Sequence, residues 1–137
     1  MAHEKFKAEV LTPDGEVFNE EVEMISTRTA VGSIGILAHH QPILAMLDPT
    51  ELRLYKSESD IVSFAQSEGY LQMIENQALI LVEEAHEAGE LDAGELRDRV
   101  AQAERERDDA GEDSEKRRVA VRDLKRWEAF LRIAEGS

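Results

Sequence analysis

Four histidines are the first candidates for chemistry, and their spacing argues against it. His39 and His40 are adjacent. On an extended strand they point to opposite faces, so they do not share a metal. His3 and His86 lie far off, and no ligand spacing emerges. Glu20, Glu21 and Glu23 sit beside Val22 and Met24 and read as the solvated face of a strand, not as an acid/base pair. No glycine loop cradles a phosphate, no nucleophile elbow is present, and there is no cysteine. No enzyme, cofactor or metal is expected. What remains is recognition chemistry in two places. One is the oily stretch Gly32–Leu47, GSIGILAHHQPILAML. The other is a basic run: Lys116, Arg117, Arg118, Arg122, Lys125 and Arg126. Trp127 reads as packing.

The elements that must present these groups follow from periodicity. Gly32 and Gly35 permit positive φ or close backbone approach. Pro42 lacks a donor and pushes Gln41 away from helix, which suits an edge or a corner. Ile43, Leu44, Met46 and Leu47 need a core or a partner. The stretch therefore reads as a β corner carrying a docking loop. Before it, Phe6, Ala8 and Val10 alternate with Lys5, Lys7 and Glu9, a half-buried strand. Pro13-Asp14-Gly15 is a turn, and Val22 and Met24 mark a second strand. After it, Leu52, Leu54 and Ile61–Phe64 form a hairpin around Lys56–Asp60. Glu68-Gly69 is a break, and Tyr70–Ile74 joins Ala78–Val82 through Glu75-Asn76-Gln77. Short strands at this spacing indicate an antiparallel sandwich or barrel.

Beyond Ala85 the period changes. His86–Glu90 reads as a linker. Leu91, Leu96, Val100 and Ala103 make a narrow helical stripe, with Asp92 as N-cap and Glu95 completing a capping box. Asp108–Asp113 is the break. Ser114 would cap a second helix with the stripe Ala120, Leu124, Trp127, Leu131 and Ala134. The expected fold is β + α: an N-terminal antiparallel β-sandwich (1–86) followed by a C-terminal antiparallel two-helix hairpin (87–137).

The 137 residues carry a formal net charge of −14 and are 42% hydrophobic. That charge opposes nucleic acid and anionic lipid as general partners. The opening Met-Ala-His-Glu-Lys-Phe lacks the apolar core of a signal peptide. No apolar run nears the ~18 residues of a membrane span. Membrane association, if any, is expected through another protein. Residues 87–115 hold twelve acids and four bases, whereas 116–137 hold seven bases and three acids. The simple expectation is a basic helix folded on an acidic one.

The pattern G-x-x-G-I-L-x-x-H-x-P-I-L, carried by Gly32, Gly35, Ile36, Leu37, His40, Pro42, Ile43 and Leu44, resembles the signature of the epsilon subunit of bacterial F-type ATP synthases. Thr27-Arg28-Thr29 and Val31 resemble its actinobacterial branch. Ser33 stands where Glu or Gln is usual, and Ala38 where Pro is usual. Ser67–Leu71 is similar to the family's strand start, and Asn76 with Leu79–Glu84 to its closing strand.

The resemblance implies a non-catalytic rotor subunit at the cytoplasmic face of the plasma membrane, held there peripherally. Its implied partners are the gamma shaft, the membrane c-ring and the alpha/beta head. It implies a docking loop of Gly32, Ser33, Gly35, Ile36, Leu37, His40 and Pro42. It also implies a regulatory basic helix of Lys116, Arg117, Arg118, Arg122, Lys125 and Arg126, able to extend toward an acidic segment of the head and oppose ATP hydrolysis. Leu91 and Asp92 resemble the start of the family's [IL]-D-x-x-R-A nucleotide motif. Glu95 and Leu96 replace its arginine and alanine, and a carboxylate there repels phosphate. A free-standing sandwich binding module with a helical hairpin is the rival reading. The two differ in how much apolar surface the docking stretch leaves open.

Overall fold

Alternation of apolar and polar residues is what builds the first unit. In a computed structural model describing residues 3–136, the chain divides into two compact units, Met1–Glu87 and Ala88–Ser137. The first holds ten strands: β1 Phe6–Thr12, β2 Gly15–Val22, β3 Met24–Thr29, β4 Gly32–Leu37, β5 Ile43–Leu47, β6 Thr50–Tyr55, β7 Ile61–Gln66, β8 Gly69–Ile74, β9 Gln77–Val82 and β10 Ala85–Glu87. They pair in the order β10-β7-β6-β3-β5-β8-β9-β1-β2, with β4 added to β3. One edge of β3 is shared. Met24–Ser26 pair with β6, and Thr29 pairs with Leu47 of β5. There the sheet turns from one layer into the other.

The inward residues of each strand meet in one core. Phe6, Ala8 and Val10 of β1 join Ile25, Ile36, Leu52, Leu54, Leu71, Met73 and Ile80, all at most 1% exposed. Burying each large side chain contributes roughly 1.5–3 kcal/mol. The core also encloses a satisfied polar group. The Thr27 hydroxyl donates to Gln66 Oε1 at 2.7 Å, and Gln66 Nε2 donates to the Asp48 and Ser67 carbonyls at 3.0 and 3.1 Å.

Several expectations need correction. The pairing is not wholly antiparallel, because β1 lies parallel to β9, with Lys7 opposite Gln77 and Leu11 opposite Leu81. The β8–β9 hairpin returns its second strand in the direction of β1, so closure there has to be parallel. His86 and Glu87 are not linker. They pair with Ala65 and Phe64 as a short polar edge strand, which carries no apolar signal. Glu20 and Glu21 are solvated, but Glu23 is buried. It falls between β2 and β3, where its N–H donates to the Tyr55 carbonyl at 2.7 Å.

In the second unit a 3₁₀ turn at Ala88–Glu90 precedes α1 (Ala93–Asp109) and α2 (Ser114–Ala134). Arg97, near the start of α1, pairs with Glu135 just past α2 at 3.2 Å, so the helices run antiparallel. Asp92 caps α1 by accepting the Glu95 N–H at 3.1 Å. The other half of the expected capping box is replaced: the Glu95 carboxylate takes Arg99 instead. Asp113, not Ser114, caps α2, accepting the Lys116 N–H at 3.0 Å. Gly111 takes φ 58° in the break.

Candidate functional site

The stretch 32–47 is two strands, β4 and β5, which pair with other strands and not with each other and are joined by a short turn. Gly32, Ser33, Gly35, Ile36 and Leu37 all lie in β4, antiparallel to β3. Ile36 is fully buried and belongs to the core, which removes it from any direct contact. Ser33, Gly35 and Leu37 face outward. Gly32 has φ 140°, a backbone that side chains resist, and closes the β3–β4 turn. Gly35 needs no such freedom. A Cβ there would meet nothing within 4 Å, so the space over it is open. Val31, at the tip of that turn, is 98% exposed. The Thr29 hydroxyl steadies it by donating to the Gly32 carbonyl and accepting the Val31 N–H, at 3.0 and 3.2 Å.

His40 and Pro42 lie in the 38–42 turn. The His40 Nδ1 is 2.7 Å from the Gln41 carbonyl. The residue whose backbone is unusual is its neighbour, His39, with φ 63°.

From this turn an apolar surface runs outward along the sheet. Leu44 and Met46 of β5 are 71% and 62% exposed. Met46 lies opposite Tyr70 of β8, and Tyr70 opposite Leu81 of β9, both also exposed. Gln72, opposite Leu44, is the polar exception within the patch. Ala30 N–H donates to the Met46 carbonyl at 3.0 Å, which sets Val31 beside the same patch. The outward positions of an open sheet face are normally polar. Tyr70 and Leu81 were not among the expected docking residues. The available signal was that Ala78–Val82 is apolar in both phases of the alternation, and Tyr70–Ile74 in both but for Gln72.

The second unit places the basic residues differently from a single stripe. Lys116, Arg117, Arg118, Arg122 and Lys125 are exposed on α2. Arg126 is buried, with its guanidinium 5.6 Å from the centre of the Trp127 ring. Arg99 covers that ring at 4.7 Å. Ala129 and Phe130 are buried as well, so α2 hides a second stripe beside Ala120 and Leu124. The Arg118 guanidinium is paired locally with Glu115, which holds that carboxyl below its ordinary range through hydrogen bonding first and charge second. Arg122 meets Asp123 at 3.2 Å. In the Arg97–Glu135 bridge the base lies on α1 and the acid beyond α2, the reverse of the expected acidic-to-basic pairing. Leu91 and Asp92 open the helical segment, and the Asp92 carboxylate is committed to the α1 cap.

Among the described residues no group of three or more His, Asp or Glu side chains is arranged to hold a metal, and no helix is long and apolar enough to cross a membrane.

Comparison with known proteins agrees with this architecture. A family profile described as ATP synthase, Delta/Epsilon chain, beta-sandwich domain, matches residues 5–88. The ATP synthase epsilon chain of Rubrobacter xylanophilus is 32% identical over 130 residues, spanning 91% of this chain and 88% of its own. That of Herpetosiphon aurantiacus is 34% identical over 126 residues, spanning 92% and 86%. A chain in the cryo-EM structure of the Euglena gracilis mitochondrial ATP synthase shares the fold. Its TM-score is 0.78 at 21% identity, over 91% of this chain and 78% of that one.

Proposed function

The chain belongs to the ATP synthase delta/epsilon family, and from that premise we propose that it is a rotor foot of a proton-translocating F-type ATP synthase. It is a non-catalytic chain. The sandwich grips the base of the gamma shaft and seats it on the membrane c-ring. The helical unit contacts the alpha/beta head in one of its states and opposes ATP hydrolysis. The chain works at the cytoplasmic face of the plasma membrane and is held there through the complex.

The observation that carries this reading is the outward apolar patch of Leu44, Met46, Tyr70 and Leu81, continued by Val31. A free-standing module gains nothing from such a surface in water, whereas a subunit covers it on assembly. The patch takes the shaft. The adjoining turn, with His40 and Pro42, and the outward side of β4, with Ser33, Gly35 and Leu37, take the ring. The exposed bases of α2 supply the charge for an acidic surface on the head. The helix pair acts as a brake only if the head binds one of its states better than the other. Moving such an equilibrium from 1:99 to 99:1 takes ~5.5 kcal/mol.

Leu44→Glu in the full-length chain tests the docking role. Its stability should stay within about 0.5 kcal/mol of the parent, because Leu44 is exposed. Its recovery with the shaft and ring from detergent-solubilised membranes should fall at least about tenfold, a change of ~1.4 kcal/mol. Equal recovery of variant and parent would refute the docking face. Truncation after Ala88 addresses the brake separately: hydrolysis by the assembled enzyme should rise, and an unchanged rate removes that role.

A further inference from the structure

One hydrogen bond of the sandwich joins two turns that are far apart in sequence. Residues 38–42 connect β4 to β5, and residues 75–76 connect β8 to β9. β5 pairs with β8 from Ile43 opposite Met73, so both turns lie at the same end of the sheet. His39 has φ 63°, Glu75 φ 49° and Asn76 φ 61°. This left-handed region is costly for most side chains and least so for Asn and Asp. The Asn76 side-chain oxygen accepts the His39 backbone N–H at 2.7 Å. On its other side, His39 Nε2 meets Glu4 Oε1 at 2.9 Å. Glu4 precedes β1, whose Lys7 lies opposite Gln77 just beyond the second turn. Three segments thus converge on the residue directly before His40.

We propose that Asn76 is a positioning residue for the docking turn: its side-chain oxygen holds His39 in the left-handed conformation and so fixes how His40 and Pro42 are presented to the rotor ring. The inference rests on the reading of this turn as the ring contact. A turn without ladder bonds samples many conformations, and a partner that selects one loses affinity to the ordering cost. A turn already set by its neighbour avoids most of that cost. The two-residue turn Glu75-Asn76 delivers the acceptor, because it has positive φ at both positions, as a type I′ hairpin turn requires.

Asn76→Gly keeps the left-handed backbone and removes the acceptor, and glycine is favoured at this position of the turn, so the variant folds. Asn76→Asp keeps both. In the full-length chain, the His39 amide of the glycine variant should exchange with solvent about tenfold faster, with the core amides unchanged. Its affinity for membranes carrying the rest of the enzyme should fall about threefold to tenfold, and Asn76→Asp should restore both readouts. Unchanged exchange at His39, faster exchange with unchanged affinity, or failure of the aspartate to rescue would each overturn the proposal. His40→Ala, measured in parallel, separates the two layers. If it weakens binding and Asn76→Gly does not, only the positioning role falls. If neither weakens binding, the turn is not the ring contact and both readings fall.

Discussion

Replacing Gly69 by alanine sets backbone preference against packing, and the two predict opposite signs. Glycine in a strand costs roughly 0.5–1 kcal/mol relative to alanine, so preference alone predicts a gain in stability. The geometry predicts a loss. Gly69 opens β8 opposite Val82 of β9. A Cβ on it would lie 2.0 Å from the Leu81 carbonyl oxygen, 2.8 Å from the Val82 Cα and 2.9 Å from the Leu81 carbonyl carbon. All three are backbone atoms, so no rotamer change relieves the clash and the strands must part by more than 1 Å to reach ordinary contact.

That movement would not stay local. The next residues are tied by Ser67 N–H to the Glu84 carbonyl at 2.9 Å and Glu84 N–H to the Ser67 hydroxyl at 2.8 Å. Overpacking of this kind costs about 1–3 kcal/mol, and one lost backbone hydrogen bond about 1 more. Set against the roughly 0.5–1 kcal/mol gained from backbone preference, the net expectation is a loss of about 1–3 kcal/mol. Urea unfolding followed by far-UV circular dichroism, with Trp127 fluorescence reporting the helical unit separately, should show the midpoint of the sandwich falling by about 1–2 M. Gly35→Ala is the control, since nothing stands within 4 Å of its Cβ. It should stay within about 0.5 kcal/mol. A Gly69→Ala chain as stable as the parent, or a Gly35→Ala chain equally damaged, would refute the reasoning.

Two further outcomes are expected. Gln66→Leu strands the buried Thr27 hydroxyl and should cost about 2–3 kcal/mol, while adding Thr27→Val should recover part of it, measured as a non-additive double-mutant cycle. At Glu51, burial raises the carboxyl, but hydrogen bonds from Ser63 and Arg53 and the Arg53 charge outweigh it and leave the pKa lowered. The folded state therefore binds this proton less readily than the unfolded chain. The stabilisation is full above the unfolded value of 4.5 and is lost as pH falls through the lowered one. Glu51→Gln should flatten the acid limb of the stability curve by less than about 1 kcal/mol, and an unchanged limb would refute the assignment.

Much of the fold was legible because its strands obey one period. Phe6, Ala8 and Val10 announced β1, and Glu75-Asn76 announced a hairpin that forms with positive φ at both residues. The stretch 32–47 reads as a β corner with a docking loop running from Gly32 to Pro42, whereas only 38–42 is a turn. Glycine and proline signal irregular backbone, yet Gly35 sits in a regular strand and Pro42 only precedes one. His86 was passed over because a short edge strand needs no apolar residue. The cap of α2 was displaced by one position because Asp113 and Ser114 are both good caps, and only the backbone path chooses between them. Of the candidate surface, Leu44 and Met46 were visible as apolar residues in need of cover. Tyr70 and Leu81 were not, since pairing across three strands assembles the patch. Arg126 is grouped by charge with the bases that would meet an acidic partner, whereas its long stem lets it lie buried beside Trp127.

The parallel pairing of β1 with β9 also governs the order in which the molecule can be made. Residues 7–11 leave the ribosome about seventy residues ahead of their partners at 77–81, which are among the last of the sandwich to be synthesised. Until then β1 has only β2 beside it, through the local hairpin at Pro13-Asp14-Gly15. Closing a loop of that span adds only logarithmically to the entropy cost, yet it raises contact order and slows the final step. The nascent chain therefore carries an unsealed apolar seam for most of its translation, and a chaperone that shields the β1–β2 hairpin would improve its yield more than one acting on the finished protein.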